Sequence, residues 1–365
     1  MNYEDLKYWL WLSYLPMMWY GKAEKWLKVF GSPKEIFDAK EELLEKTGIF
    51  LPEDIYNIVK SKAEINLEDK YRIMEKQGIK MVTIEDEDYP EKFRIYEDKP
   101  LWLFYKGSMP SADEKMIGMV GARNCSEYGR SMAENIANKL SLFSISVVSG
   151  MARGIDVAAH RGALAGRGRT YAVLGCGVDI CYPRENISTY MEIIANGGII
   201  SEYPPGTQPV AWQFPYRNRI ISMLSDAVAV IEAKRKSGSL ITTDYALKYG
   251  KDIFALPGRV TDVLSEGCND LIKTGAFALT EAEDMLFATG VYLDDKERRK
   301  NKKKKIILEK ENEVVYSCLD LLPQSIEEII DKTGINSSEI YRILMNLILD
   351  GLVIEPARNH YARKI

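Results

Sequence analysis

The sequence lacks the patterns that mark a metal site, a disulfide framework or a membrane segment. Its five cysteines form no CxxC pair, and its two histidines, His160 and His360, have no partners at metal-ligand spacing. These features disfavour a structural zinc site and suit a reducing cytosol. The apolar start of the chain carries Glu4 and Asp5 without a small-residue cleavage site, so we interpret it as a helix and expect a cytoplasmic protein.

Composition and charge set the next limits. The 365 residues are 46% hydrophobic, which is enough for a sizeable core in two or three domains. The formal net charge of -4 gives no global attraction to a polyanion, so nucleic-acid binding would require a local basic surface. We predict a small helical domain of the SAM or helix-hairpin-helix type at 1–65, an α/β domain at 66–290, a basic linker at 291–305 and a winged-helix-like domain at 306–365.

The middle of the chain alternates apolar runs with helical stretches. Two runs, at 80–84 and 101–105, lead into this region. The later runs are continuously apolar, as are strands covered on both faces: KMIGMVG, SISVVSG, TYAVLGCGV, GGIISEY, DAVAVIEA and KDIFALPG. The pattern predicts an α/β fold with a doubly wound, Rossmann-like sheet, whose ligand lies at the carboxyl ends of the strands.

Glycines follow the first two of these later strands. Gly121 permits close approach of a backbone beside Arg123, but the segment is not a GxGxxG motif, which disfavours a dinucleotide cofactor. In the next loop, SGMARGIDVAAH, Gly150 and Gly154 allow backbone N–H groups to point at an anion. A phosphate from a nucleotide, from a small substrate or from a nucleic-acid backbone would satisfy such a loop, and the glycines alone leave all three open.

The helix after this loop carries His160, four residues after Asp156. A histidine in this position could act as a general base. No second histidine or cysteine lies near it, so we favour a structural histidine with satisfied hydrogen bonds.

Two later loops offer cations and hydroxyl groups. In FPYRNRIISML, Phe214 gives a stacking face, and Arg217 and Arg219 lie at the amino end of a helix, where the helix dipole favours phosphate. The alternative is a helix cap with one arginine paired to Asp226 or Glu232. The next strand ends in KRKSGSLITT, a hydroxyl-rich turn flanked by basic side chains. Together these loops offer more cations and hydrogen-bond donors than a single phosphate needs.

Taken in order, these segments resemble the DNA-processing protein A (DprA, also called Smf) family over roughly Lys80 to Ala288. The motifs that carry the resemblance are VGARNCSEYG, SGMARGIDVAAH, AVLGCGVDICYP, SEYPPG, FPYRNRIISMLS, SGSLITT, LPG and SEGCNDLIKTGA. The resemblance implies a single-stranded DNA-binding protein that protects incoming DNA and loads the RecA recombinase in natural transformation. It also implies a homodimer formed through the Rossmann-like domain, no enzymatic activity and no cofactor.

The resemblance and the loop chemistry together give the residues that we expect to contact DNA. They are Gly121, Ala122, Arg123, Ser126, Ser149, Gly150, Met151, Ala152, Arg153, Gly154, Phe214, Arg217, Asn218, Arg219, Lys236, Ser237, Gly238, Ser239 and Thr242. Two departures from the family pattern stand out. Ala122 occupies a position that is commonly serine, and the segment 209–213 lacks a lysine that some members have, so Lys234 to Lys236 are candidates for the missing charge.

The competing interpretation is an enzyme that hydrolyses nucleoside monophosphates. Related Rossmann-like proteins use a glycine-rich turn and a nearby glutamate for this reaction, and Glu202 or Glu232 could supply the carboxylate. The turn after Glu232 lacks the double-glycine phosphate motif of those enzymes, so we favour DNA binding.

The end of the chain begins with KERRKNKKKK, eight basic side chains among ten residues. Beyond it the pattern predicts three helices and a hairpin, the order of a winged helix. The third helix has one basic residue, Arg342, and two acidic residues, Glu339 and Asp350. A helix that reads the major groove needs several hydrogen-bond donors and cations. We therefore expect an accessory domain that does not read DNA sequence.

Overall fold

A nine-stranded sheet lies at the centre of the computed structural model, which describes residues 3–291 and 310–364. Its strand order is β1-β2-β6-β5-β4-β3-β7-β8-β9. The strands are β1 Lys80–Thr83, β2 Trp102–Gly107, β3 Met116–Val120, β4 Ser146–Ser149, β5 Thr170–Val173, β6 Gly197–Ser201, β7 Ala227–Val230, β8 Asp252–Ala255 and β9 Phe277–Ala278. The chain winds outward from β3 in one direction and then in the other, which confirms the predicted doubly wound fold.

Pairing divides the sheet into a parallel body and an antiparallel edge. Every neighbouring pair from β6 to β9 is parallel. At the other edge, β2 pairs antiparallel with β6, and β1 pairs antiparallel with β2. The apolar runs correctly predicted β1 to β8. They missed β9, because two exposed residues carry no periodic signal.

Helices precede the sheet in a small N-terminal region. They are α1 Tyr3–Ser13, α2 Tyr20–Phe30, α3 Pro33–Asp38, α4 Glu41–Thr47, α5 Pro52–Glu64 and α6 Leu67–Lys76. Trp9, Trp11 and Trp26 are buried in the same cluster as Trp102 of β2. The indole N–H of Trp102 also donates to the carbonyl of Glu202, at 2.9 Å. The N-terminal helices and the sheet therefore share one core.

The remaining helices of this part cover both faces of the sheet. They are α7 Glu91–Arg94, α8 Glu127–Leu142, α9 Ile155–Ala165, α10 Ile187–Asn196, α11 Gln213–Leu224, α12 Leu240–Lys248, α13 Glu266–Lys273 and α14 Leu286–Thr289, with 3-10 turns at Arg184–Asn186 and Ala282–Met285. α8 and α9 bury Ile136 and Ala159 against one face. α11 and α12 bury Ile220 and Ala246 against the other.

The C-terminal part has a core of its own, with Ile329 and Leu344 at its centre. It consists of α15 Lys310–Cys318, α16 Ile326–Thr333, α17 Ser337–Leu349 and the strands β10 Gln324–Ser325, β11 Val353–Ala357 and β12 His360–Arg363. The sheet order is β10-β12-β11. The predicted sequence of three helices and a hairpin is present, and β10 adds a short third strand. The predicted basic linker at 291–305 lies outside the described residues except for Val291.

In the two described ranges, none of the helices combines the length and the hydropathy that a bilayer span requires.

His160 on α9 lies in the core, fully buried. Its Nδ1 is 2.7 Å from Oγ1 of Thr170, and that hydroxyl donates to the carbonyl of Val147. Because the threonine proton is already used, Nδ1 of the histidine is the donor. Burial lowers the pKa of His160 to about 3, and the charge of Arg217 adds to the effect. A neutral, buried ring agrees with a structural role and not with a general base, but only Nδ1 is hydrogen-bonded, since Nε2 is buried without a partner among the described residues.

We predict that His160→Gln removes one component of acid denaturation. An unfolded histidine titrates near pH 6.5, whereas the folded pKa is about 3. The neutral ring therefore contributes stability above about pH 6.5, and this contribution is lost as the pH falls from there towards 3. In urea unfolding across this window, the free energy of unfolding of the wild type should fall more steeply than that of the variant, by up to about 1.4 kcal/mol per pH unit. Equal slopes would contradict a neutral buried imidazole.

Candidate functional site

A cavity of about 700 Å³ opens at the carboxyl edge of the sheet, between the loops after β3, β4 and β7 and the start of α11. We call it the edge cavity. Many of the residues predicted to contact DNA line it: Gly121, Ala122, Arg123, Ala152, Phe214, Arg217, Asn218, Lys236, Ser237, Gly238, Ser239 and Thr242. The structure thus brings together loops that are more than a hundred residues apart in sequence.

The lining of the edge cavity is cationic. It contains four basic residues, Arg123, Arg217, Lys234 and Lys236, against one carboxylate, that of Asp156. In the sequence, Lys234 is named only as a candidate for missing charge, and Asp156 only for its spacing from His160. The local excess of positive charge is the surface that a chain with a net charge of -4 requires to bind a polyanion.

An aromatic ring lies beside these cations. The guanidinium of Arg123 is exposed, and its Cζ lies 5.5 Å from the ring centroid of Phe214. The Phe214 ring stacks on Tyr182, with centroids 5.6 Å apart and planes at 24°. Sequence reasoning missed Tyr182, which lies in a loop without a recognisable anion motif. A side chain at Gly175 would approach the Phe214 ring to 2.9 Å, so this glycine leaves room for the stack.

Arg217 is buried at the base of the cavity. Its Nη1 donates to the carbonyl of Gly150 at 2.9 Å, and its Nε donates to Oδ1 of Asn218. Burial lowers the pKa of Arg217 to about 10, partly offset by the nearby carboxylate of Asp156. The side chain therefore stays protonated at neutral pH and supplies a fixed positive charge below the exposed Arg123.

A hydroxyl-rich turn forms the opposite wall of the cavity. Oγ of Ser237 and Oγ of Ser239 are 2.7 Å apart, just before the first turn of α12. The hydroxyl of Thr242 is buried and has no hydrogen-bond partner among the described residues. With Lys236 alongside, this wall offers hydroxyl donors and a cation to phosphate oxygens.

Of the loop 149–154, which was predicted to contact DNA, only Ala152 lines the edge cavity. Four of the loop residues do not line the cavity and instead support it: Ser149, Gly150, Met151 and Gly154. The hydroxyl of Ser149 donates to the carbonyl of Met119. Met151 is fully buried, and a side chain at Gly154, whose φ is 73°, would meet the carbonyl of Ala122 at 2.3 Å.

The anion that meets this loop belongs to the protein itself. The backbone N–H of Ala152 donates to Oδ2 of Asp156, at 3.4 Å. Burial raises the pKa of Asp156, while Arg217 and the N–H groups of the loop oppose the shift. The glycine loop thus holds an internal carboxylate next to Arg217, and the exposed cations remain for an external anion.

Three further residues that were predicted to contact DNA have side chains that are engaged within the protein. Arg153 is exposed but pairs with both carboxylate oxygens of Glu185, at 2.7 and 2.8 Å. Ser126 caps α8 by accepting the N–H of Gly129, and its own N–H and hydroxyl donate to Glu232. Neither residue lines the edge cavity.

The third of these is Arg219. It is buried, pairs with the buried carboxylate of Glu202 and places its Cζ 4.4 Å from the ring of Tyr216. Residues two positions apart on a helix point to different sides. Only one of the two arginines, Arg217, can therefore face the edge cavity. The helical period of the sequence was enough to predict that Arg217 and Arg219 point to different sides.

The two carboxylates considered for hydrolysis do not line the edge cavity. Glu202 is committed to Arg219, and Glu232 accepts both the N–H and the hydroxyl of Ser126. A general base must reach the proton that it abstracts. Neither carboxylate therefore supports nucleoside monophosphate hydrolysis at this cavity.

A Rossmann-like sheet whose carboxyl edge holds a cationic pocket and an aromatic ring defines an α/β protein with a site of the kind that suits phosphate-bearing ligands. Residues 80–290 match the profile of the family described as DNA recombination-mediator protein A. Since this match spans more than half of the chain, the chain belongs to that family, which confirms the resemblance seen in the motifs.

Known relatives agree with this assignment. The chain is 41% identical over 221 residues to the DNA processing protein DprA of Streptococcus pneumoniae, a match that covers 60% of this chain and 78% of the relative. The crystal structure of that protein matches with a TM-score of 0.64 and 35% identity, covering 79% of this chain and 97% of the other. The DNA processing protein A of Helicobacter pylori, solved for its single-stranded DNA binding mode, matches with a TM-score of 0.51 and 31% identity over 57% of this chain and 94% of the other.

We predict that the two arginines, Arg219 and Arg123, differ sharply in their effect on stability. Arg219→Met leaves the carboxylate of Glu202 buried without its partner and should lower the free energy of unfolding by about 3–5 kcal/mol. Arg123→Met changes an exposed side chain and should alter it by less than about 0.5 kcal/mol. Urea denaturation followed by circular dichroism measures both. Equal stability of the two variants would show that Arg219 is not a structural residue.

Proposed function

We propose that this chain binds single-stranded DNA in the edge cavity, protects the incoming strand and serves as a recombination mediator without catalysing a reaction. The observation that carries the proposal is the exposed guanidinium of Arg123 over the ring of Phe214, beside three further cations. This arrangement combines phosphate binding with a face on which a base can stack, as in sequence-tolerant binding of single strands.

The construction of the cavity supports a strand over a single nucleotide. Its walls come from several loops, with Arg123 on one side and the Ser237 to Ser239 turn on the other. Cations and hydroxyl donors are therefore spread over more positions than one phosphate needs. The single-stranded DNA binding of the Helicobacter pylori relative supports the same ligand class.

We further propose that the chain acts in the cytoplasm as a homodimer and loads RecA onto the bound strand during natural transformation. This part of the proposal rests on membership of the recombination-mediator family. A mediator must hold single-stranded DNA while a recombinase takes its place on the same strand. Contacts that go mainly to phosphate and to base faces suit such a handover, because they do not depend on sequence.

We predict that binding to oligothymidylate weakens as salt rises, because each contacted phosphate releases counterions. Arg123→Ala should lower the affinity and reduce the slope of log K against log salt by about 0.7, the contribution of one single-strand phosphate contact. Arg167→Ala is the matched control, since Arg167 is also exposed but lies in the loop between α9 and β5, at the opposite edge of the sheet. Fluorescence anisotropy at several salt concentrations measures both quantities. Affinity that does not change with salt would refute the proposal.

The C-terminal part supports an accessory role. On α17, Tyr341, Met345 and Leu349 are exposed at helical spacing, with Leu349 80% exposed. Arg342 of the same helix pairs with Glu311 and Glu339. An exposed face that is apolar, with its arginine already paired, lacks the free donors that reading of base edges requires.

We predict that a chain ending at Gly290 keeps its affinity for single-stranded DNA, apart from a modest loss that disappears at high salt. The removed segment carries the run KERRKNKKKK, whose attraction to phosphate is purely electrostatic and is screened by ions. Anisotropy titrations at low and high salt compare the truncated and full chains. Loss of binding at every salt concentration would place the principal site in the C-terminal part.

A further inference from the structure

A second cavity, of about 210 Å³, lies where the N-terminal helices meet the loop between β6 and α11. We call it the tryptophan cavity. Its aromatic lining residues are Tyr14, Trp19, Trp102, Tyr203, Trp212 and Tyr216. Pockets for drug-sized ligands measure about 300–1,000 Å³. The tryptophan cavity is smaller and suits a single planar group.

Two indole rings of this cavity are half exposed. Trp212 is 52% exposed and Trp19 is 50% exposed. The Trp212 ring meets Tyr203 at an angle of 78°, with centroids 6.1 Å apart. A side chain at Gly21 would approach the Trp19 ring to 2.3 Å, so the glycine lets this indole lie against the backbone. Both rings are thus held in place while much of their surface stays open to a ligand.

The lining of the tryptophan cavity is electrically neutral. The carboxylate of Glu202 is paired with Arg219, and no lysine or arginine lies among the described residues that line the cavity. The hydroxyl of Tyr203 is buried without a hydrogen-bond partner in the described part of the chain. These features suit an uncharged aromatic ligand with a polar group at its rim.

The start of α11 separates the two cavities. Trp212 and Gln213 line the tryptophan cavity, whereas Phe214, Pro215 and Arg217 line the edge cavity. Both cavities use segments that leave the carboxyl ends of the parallel strands. Trp212 and Phe214 are two positions apart at the amino end of α11, so both cavities border the first turn of the same helix.

We propose that the tryptophan cavity is a second base-binding subsite, in which an unpaired base of the bound strand stacks on Trp212 and Trp19. The inference rests on the proposed function, since it extends the same DNA path. The neutral lining favours a base over a phosphate. The position of Trp212 two residues before Phe214, at the start of the same helix, favours the same strand over a separate protein partner. Stacking accepts any base, so the subsite adds affinity without sequence preference.

The test compares Trp212→Ala with wild type on oligothymidylates of about four and about twelve nucleotides, lengths within the range of single-strand sites. The short strand fills the edge cavity alone, whereas the long one reaches both cavities. The variant should bind the long strand about tenfold more weakly, which is the loss of one base–aromatic stack, and the short strand as wild type does. Trp19→Ala should behave similarly, and Trp212→Phe should recover most of the affinity.

A second arm removes the bases instead of the ring. A long strand that is abasic beyond its first few nucleotides keeps its phosphates, so wild type and Trp212→Ala should bind it equally. Tyr56→Ala is the control variant, because Tyr56 is 61% exposed on α5 and lines neither cavity. It should bind every strand as wild type does.

The outcomes separate the two proposals. If neither strand binds to wild type, the proposed function fails and the subsite fails with it. If both strands bind but Trp212→Ala matches wild type at both lengths, only the subsite is overturned, and a protein partner becomes the better occupant. An equal loss at both lengths also overturns it, because that result would reflect displacement of the neighbouring Phe214.

Discussion

The buried ion pair between Arg219 and Glu202 fixes the element on which both cavities depend. It ties α11 to the end of β6, and the carbonyl of the same glutamate accepts the indole N–H of Trp102. A charge in this environment is costly unless it is paired, so α11 has little freedom to rotate or slide. Phe214 and Trp212 lie at the amino end of this helix and project into different cavities. This ion pair thereby positions the two rings proposed to meet DNA.

In the glycine-rich loop after β4, a carboxylate of the protein itself occupies the position where an anion motif would hold a ligand. The N–H groups of the loop meet the carboxylate of Asp156, which in turn lies near the charge of Arg217. An internal carboxylate here lowers the repulsion between Arg217 and the exposed Arg123, which each oppose the other's charge. The loop therefore helps to hold both guanidinium groups at the edge cavity in advance of a ligand, and such preorganisation reduces the cost of binding.

Much of the fold follows from local patterns, because buried parallel strands are read as continuous apolar runs. The position of each loop at the sheet edge follows as well, so the sequence brings Arg123, Phe214 and the Ser237 turn to one site. What the sequence did not predict depends on packing between distant segments. Ser126 and Arg219 look available in their motifs, but Glu232 and Glu202 reach them from elsewhere in the chain. Charge partners more than ten residues away leave no periodic signal.

The shared core of the N-terminal helices and the sheet has a consequence for local unfolding. Trp9 and Trp11 of α1 are buried in one cluster with Trp102 of β2, so α1 cannot separate without exposing the sheet to water. Amide hydrogens in α1 and in β2 therefore exchange through the same opening event. The C-terminal part, built around Ile329 and Leu344, has a separate cluster and can open by itself. Segments that share a core open together in hydrogen exchange, whatever their order along the sequence.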